Sequence, residues 1–449
     1  MRCIQSMLTF FLIKLYYLAP LMSTIEQLYR CYKQSTGVST DTRTVQQGNI
    51  WFALKGPNFN ANRFADQAIE KGAAYAVVDD AAYVKDERYL LVEDGLKALQ
   101  GLATYHRNQL SIPFMAITGS NGKTTTKELM RDVLATKYNV LATKGNLNNH
   151  IGVPLTILSI DEEVEFAIIE MGANKVGDIA ELCAIAAPDY GLITNIGRAH
   201  LEGFGGVEGV IRGKTELYHH LIKKEGRIFV NSNAEVLKNI AEKRIDEPIY
   251  YPNNGDFLVA HLISDVDGLT IQTEGKEFKT QLTGRYNFEN ICAALCLGKF
   301  FGVSAEKATE AVANYVSDNN RSQLVQIGTN QVVLDAYNAN PSSMDAALRN
   351  VAAKAAKHKI VVLGDMLELG DDTEKEHAAI GQLTQTLGFD EVVFCGKHMA
   401  SAKAANTEAL YFEKKEALKA YFKMNPPKDS LILIKGSRGM SLETLLEDL

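Results

Sequence analysis

Residues 117–126 read Ile-Thr-Gly-Ser-Asn-Gly-Lys-Thr-Thr-Thr. These are the residue types that hold a nucleotide triphosphate. Gly119 and Gly122 let backbone N–H groups turn toward phosphate oxygens, and a helix starting here adds positive potential at its N-terminus. Asn121 and Thr125 belong to the same phosphate-facing turn. Lys123 can reach the β- and γ-phosphates, and Thr124 can offer its hydroxyl to Mg²⁺. The commoner form of this loop carries another glycine where Ile117 stands, so only Gly119-x-x-Gly122-Lys123-Thr124 remains of it. The loop needs a strand to lead in and a helix to lead out. The apolar run Phe114 to Ile117 and the helix-like segment Thr124 to Lys137 supply them. ATP is therefore the expected nucleotide, with Mg²⁺ beside it.

Other polar residues follow apolar, strand-like runs. Ile168-Ile169-Glu170 ends a run with a carboxylate, at the edge where α/β sheets bind ligands. One or two carboxylates plus phosphate oxygens suit Mg²⁺, so Glu170 is a candidate metal ligand. His200 lies in the Gly-rich stretch Thr194 to Gly205 after another such run, and is read as a metal or phosphate contact. Lys214, further on, begins a helical segment and reads on composition alone as a solvated helix lysine. Asn146, Asn148 and Asn149 concentrate side-chain amides, which make turns or bind peptide and sugar groups. Three more strand-end loops follow: Asp335 to Met344, Gly364 to Gly370 and Lys435 to Gly439.

The chain has 449 residues, which at roughly 150 per domain suggests three. A net charge of −7 leaves no basic footprint for nucleic acid. The six cysteines (Cys3, Cys31, Cys183, Cys292, Cys296, Cys395) are scattered without a Cys-x-x-Cys pair, which suggests neither a zinc site nor a disulfide framework and fits a reducing cytoplasm. Met7 to Leu21 is mostly apolar but interrupted by Lys14. A signal-peptide h-region is one reading of it, although no small-residue cleavage site follows, and it is too short and broken for a spanning helix. Translation is expected to start at Met22. A chain begun there should be soluble and fully active, without stable membrane insertion.

The expected fold class is α/β with three domains. A small α/β domain spans 22–110, a central P-loop domain with a parallel sheet spans 111–316, and a Rossmann-like α/β domain spans 317–449. Ile249 to Leu282 alternates in short runs and reads as a β-hairpin insertion.

Taken together and in order, these loops resemble the Mur ligase family of peptidoglycan synthesis, from Met22 to the C-terminus. The marks are Gly145-Asn146-Leu147-Asn148-Asn149-x-Ile151-Gly152-x-Pro154-Leu155, Tyr337-Asn338-Ala339-Asn340-Pro341-x-Ser343-Met344 and Gly364-Asp365-Met366-Leu367-Glu368-Leu369-Gly370. Within that family they resemble the branch that joins D-alanyl-D-alanine to a UDP-N-acetylmuramoyl-tripeptide, using ATP and Mg²⁺. The resemblance implies that Lys123 and Thr124 bind ATP phosphates and metal, that Glu170 and His200 belong to the metal site, and that Lys214 is the family's carbamylated lysine. It implies that Asn287 and Asn290 lie near the adenine and that Arg321 and Asp335 close on the nucleotide. Asp41, Thr42 and Arg43 match the loop that meets the UDP end. Asn338, Asn340, Lys435 and Arg438 are expected to orient D-alanyl-D-alanine. Other amide ligases of the Mur or folylpolyglutamate type, and a P-loop NTPase that does not ligate, are the alternatives. The implied enzyme acts in the cytoplasm as a monomer whose three domains close on three substrates. Departures from the family pattern are Thr42 for a frequent Ser, the loop Phe59 to Phe64 for a Gly-His pair, Ala336 for a common Ser, and Asn320 for a frequent Gly.

Overall fold

The computed structural model describes residues 22–266, 268–317 and 323–449. Residues 1–21 and Arg321, with Asn320 beside it, lie outside the described residues. The chain divides into two compact units.

The first unit runs to Ile112 and recruits two later segments, Asn146–Glu162 and Ala184–Ala187. Its parallel sheet has the order Val38–Ser39, Ile50–Phe52, Tyr75–Val78, Tyr89–Leu91. The helix Ile25–Gln34 starts at a reciprocal cap between Thr24 and Gln27. The later segments are tied in through backbone carbonyls. The Tyr32 hydroxyl donates to Leu158 O at 3.0 Å. The buried Arg107 guanidinium donates to Ala186 O and Ala187 O, both at 3.0 Å.

The second unit holds Pro113–Gly145, Glu163–Cys183 and Pro188–Leu449. Its first sheet is wholly parallel, in the order Ile249–Tyr251, Arg227–Asn231, Tyr190–Ile193, Phe114–Thr118, Phe166–Glu170, Val140–Ala142. Phe114 to Ile117 and Phe166 to Ile169 are buried throughout, which is why they read as continuous apolar runs: a parallel sheet is covered on both faces. The Phe166 ring meets Phe301 edge-on, with centroids 4.7 Å apart. Phe166→Ala is expected to destabilise the unit by about 3–5 kcal/mol, read as a lower urea midpoint at unchanged slope.

A second, mixed sheet has the order Gln323–Ile327, Asn330–Asp335, Ser430–Lys435, His358–Gly364, Glu391–Cys395, Leu410–Phe412, antiparallel only at its first pair. The α/β class is as expected, with two differences in detail. Ile249–Tyr251 is not part of a hairpin insertion. It pairs in parallel with Arg227–Asn231, and the antiparallel element is the three strands Ala260–Ser264, Thr270–Thr273 and Lys276–Lys279. A three-residue apolar run has too little periodicity to reveal its partner. Likewise Lys214 does not begin a helix but sits inside Val207–Lys223. No described helix is long and apolar enough to cross a membrane.

Candidate active site

Register brings the chemistry to one edge. Ile117 pairs with Glu170, and Thr118 pairs with Ile193. The loops that follow these three neighbouring strands therefore leave the same carboxyl edge, where α/β sheets bind ligands.

The phosphate loop is held from below. The Thr194 hydroxyl donates to Asn121 O at 2.6 Å, Asn195 Nδ2 donates to the same oxygen at 3.0 Å, and Asn121 N–H donates to Asn195 Oδ1 at 3.1 Å. Gly122 has φ +80°, and a Cβ there would lie 2.5 Å from Asn290 Oδ1, so only glycine fits. Gly122 is also the N-cap of the helix Lys123–Ala135 and has no side chain to occupy the first N–H groups. Gly119 has φ +143°. Lys123 arches back over the loop, its Nζ donating to Gly119 O at 2.6 Å and Ser120 O at 3.3 Å.

Beside the loop, Thr124 and Thr125 are buried in the first helical turn. The Thr124 hydroxyl donates to Glu170 Oε1 at 3.3 Å, and Glu170 is 1% exposed. Glu170 N–H is taken by Thr143 Oγ1 at 2.9 Å. His200 has φ +53° and faces Glu368, itself at φ +64°. A non-glycine residue in the left-handed region costs about 1–3 kcal/mol, and such strain gathers at functional sites. Burial lowers the His200 pKa, and the nearby Lys123 and Lys214 lower it further against the opposing pull of Glu368. Lys214 is 2% exposed, with its Nζ 5.3 Å from the Phe204 ring centroid and 3.4 Å from Ala173 O. Burial, with Lys123 adding to it, holds its pKa well below the ordinary lysine value. The solvated-lysine reading is thereby overturned: the Phe204 ring and the Ala173 carbonyl, not solvent, meet this amine.

Asn287 and Asn290 are buried. Asn290 Oδ1 accepts from the Thr126 hydroxyl at 3.0 Å, and Asn290 Nδ2 donates to Asn287 Oδ1 at 2.9 Å. Asn290 thus braces the helix behind the phosphate loop, and Asn287 holds Asn290.

The four residues expected at D-alanyl-D-alanine divide into two pairs. Lys435 is 1% exposed and donates to Asp335 Oδ2 at 2.5 Å and to Asn338 O at 3.0 Å. Asn340 caps the helix Pro341–Ala353 and donates to Asn121 Oδ1 at 2.8 Å. By contrast, the Asn338 and Arg438 side chains are exposed, with Arg438 beside Glu443 at 2.9 Å. Arg198, which the sequence did not single out, donates its N–H to Ser342 Oγ at 3.0 Å and its Nη1 to Glu376 at 2.8 Å.

In the first unit, Arg43 pairs with Asp41 at 2.6 Å and holds its carboxyl down to about 2, while Thr42 O accepts from Lys71 at 2.8 Å. Asn149 Oδ1 accepts from the N–H groups of Ile151 and Gly152. Asn148 N–H donates to Asn146 O at 2.7 Å, and Asn146 is exposed.

The Mur ligase middle domain matches residues 117–298, and the Mur ligase glutamate ligase domain matches residues 320–438. UDP-N-acetylmuramoyl-tripeptide--D-alanyl-D-alanine ligase of Bacillus subtilis (strain 168) is 36% identical over 433 residues, covering 93% of this chain and 94% of that protein. The chain belongs to the Mur ligase family. The protein of the same name from Escherichia coli (strain K12) is 35% identical to this Mur ligase, covering 92% and 93% of the two chains. Among solved structures, MurF from Acinetobacter baumannii superposes with a TM-score of 0.84 at 30% identity, covering 96% and 99%. MurF ligase from Thermotoga maritima in complex with ADP gives 0.82 at 26% identity, covering 93% and 97%.

Lys127 also escaped the sequence reading. It lies one helical turn after Lys123 and is buried, and that four-residue spacing was the available signal.

Proposed function

We propose that this chain is an ATP-dependent ligase that joins D-alanyl-D-alanine to a UDP-N-acetylmuramoyl-tripeptide in cytoplasmic peptidoglycan precursor synthesis, acting as a monomer. The observation that carries the reading is the shared strand edge. A phosphate loop, a buried carboxylate and a histidine lie there after three neighbouring strands, with a buried lysine close by. The names of the relatives support the choice of substrates.

A carboxylate is a poor acylating agent. Transfer of the γ-phosphoryl group from ATP to the terminal carboxylate of the tripeptide forms a new P–O bond and releases ADP. The amine of D-alanyl-D-alanine attacks the resulting acyl phosphate. The tetrahedral adduct loses phosphate and a proton to leave the amide. Lys123 and the uncapped N–H groups after Gly122 offset charge on the phosphoryl oxygens, and Asn121 and Thr125 shape the loop around them.

The buried Glu170 carboxylate beside the Thr124 hydroxyl fits Mg²⁺, which favours oxygen ligands from one or two carboxylates, hydroxyls and phosphate. When bound, Mg²⁺ neutralises charge on the phosphates. Burial favours neutral His200, the form that can accept a hydrogen bond or a cation. Burial favours the neutral form of the Lys214 amine, the form that attacks carbon dioxide: the N–C bond forms, the proton leaves to solvent, and a carbamate results. Asp41, Thr42, Arg43, Asn146, Asn148 and Asn149 serve the UDP-peptide. Asp335 and Lys435 set the end of the second sheet, and Asn287 and Asn290 support the nucleotide. The proposed domain limits remain 22–110, 111–316 and 317–449.

The test is phosphate release from ATP with each substrate omitted in turn. Release that needs both the UDP-tripeptide and D-alanyl-D-alanine supports ligation. Release indifferent to D-alanyl-D-alanine returns the chain to the NTPase reading.

Because Asn338 and Arg438 are the exposed two of these four side chains, Asn338→Ala and Arg438→Ala are expected to raise KM for D-alanyl-D-alanine about tenfold, with KM for the UDP-tripeptide within about twofold. Steady-state kinetics with each substrate varied checks this. Losses confined to ATP would move both loops to the nucleotide.

A further inference from the structure

Lys127 is among the largest fully buried side chains of the chain, at 2% exposure. Its Nζ donates to Thr143 O at 2.7 Å and lies 3.7 Å from both Glu170 Oε2 and Glu128 Oε1. Removing an ammonium from water costs several kcal/mol, and apolar residues of similar volume often serve stability as well or better. Stability is therefore a weak reason for a lysine here.

The surroundings suggest a stronger reason. Thr143 is shared: its hydroxyl takes the Glu170 N–H while its carbonyl takes the Lys127 ammonium. The Glu170 carboxylate is thus addressed on two sides, Oε1 by the Thr124 hydroxyl and Oε2 by Lys127. Both helix residues stand on the element that carries the phosphate loop. We propose that Lys127 is a positioning residue that fixes the Glu170 carboxylate against the phosphate loop, and so determines how strongly a divalent cation tightens nucleotide binding. The inference rests on the reading of Glu170 as a metal ligand given above. Lys127 touches no substrate. It acts through Glu170, and without it the carboxylate turns toward other partners and loses its fixed direction.

The experiment is calorimetric titration of the full chain with ADP, with and without Mg²⁺, for the wild type, Lys127→Met, Glu170→Gln and the double variant. Lys127→Met is expected to bind ADP alone within about twofold of the wild type while the Mg²⁺-dependent gain falls about tenfold. In the double variant the gain should be no lower than in Glu170→Gln, because both changes disable one device. Lys127→Arg should recover part of the gain, and Lys127→Gln, which can still donate to Thr143 O, gives the uncharged test should the methionine variant fail to fold. An unchanged Mg²⁺ gain in the uncharged variants, or losses that add in the double variant, overturns the proposal. A wild type without any Mg²⁺ gain overturns the metal reading of Glu170 itself, a result separable from the first because it appears before any substitution is made.

Discussion

Lys123→Ala is expected to lower substrate-dependent phosphate release about 100- to 1,000-fold, the usual loss when one preorganised charge aimed at a transition state is removed. The fold should survive. The lysine donates to Gly119 O and Ser120 O, and the loop keeps its other anchors through Thr194 and Asn195. Each hydrogen bond lost is worth about 0.5–1.5 kcal/mol net, so a small drop in melting temperature should accompany a large drop in kcat. Glu170 and His200 cannot substitute: a carboxyl group carries no positive charge, and the histidine is pushed toward neutrality by burial. The check is a single-turnover measurement beside a thermal melt. Phosphate release at the wild-type rate, or collapse of the fold, would sink the assignment.

Lys214→Ala carries the second large effect. It should be nearly inactive and should regain part of its activity with short carboxylates such as acetate or formate, which can enter the space of the proposed carbamate. High activity without rescue would leave Lys214 with a packing role only. A stability measurement separates the amine from its modified form. Burial lowers the pKa of Lys214 in the folded chain, so over the interval from that lowered value up to about 10.4 the unfolded chain binds this proton and the folded chain does not. Stability contributed by this group therefore rises with pH across the interval and is at its worst below it. In buffer depleted of carbon dioxide, Lys214→Met should melt above the wild type near neutral pH, and the gap should close as pH approaches the ordinary lysine value. A gap independent of pH would place the effect in packing.

Much of this was legible in the residues. A parallel sheet buried on both faces announces its strands as unbroken apolar runs, so Phe114 to Ile117 and Phe166 to Ile169 could be read directly, and with them the loops at their ends. The phosphate loop is local, and its glycines and lysine carry their own geometry. Long-range facts were not readable. The burial of Lys214 depends on Phe204 and on the loop after Glu170, and no helical pattern around a single lysine reports what packs over it. The cap made by Asn340 was hidden because Asn-Pro-Ser at a helix start and an amide facing a ligand share one composition. Its oxygen caps the helix and its NH₂ reaches Asn121, a residue more than two hundred positions earlier. Glu368 in the left-handed region is equally hidden, since nothing in Met-Leu-Glu-Leu signals a positive φ.

The first unit has a consequence for the order in which the protein can be made. Its opening segment ends at Ile112, yet it is completed by Asn146–Glu162 and by Ala184–Ala187, whose carbonyls receive the Arg107 guanidinium. A ribosome adds roughly 5–20 residues each second, so the stretch from 112 to 187 takes about 4–15 s to appear. Throughout that interval the sheet of the first unit exists without its last partners, and the strand Phe114–Thr118 emerges before either of the strands it will lie between. The amino-terminal unit therefore cannot mature ahead of its neighbour, as a simple string of beads would. Its completion waits on chain that is interleaved with the nucleotide-binding sheet, so a holding chaperone or a pause in translation near residue 187 would bear on both units at once.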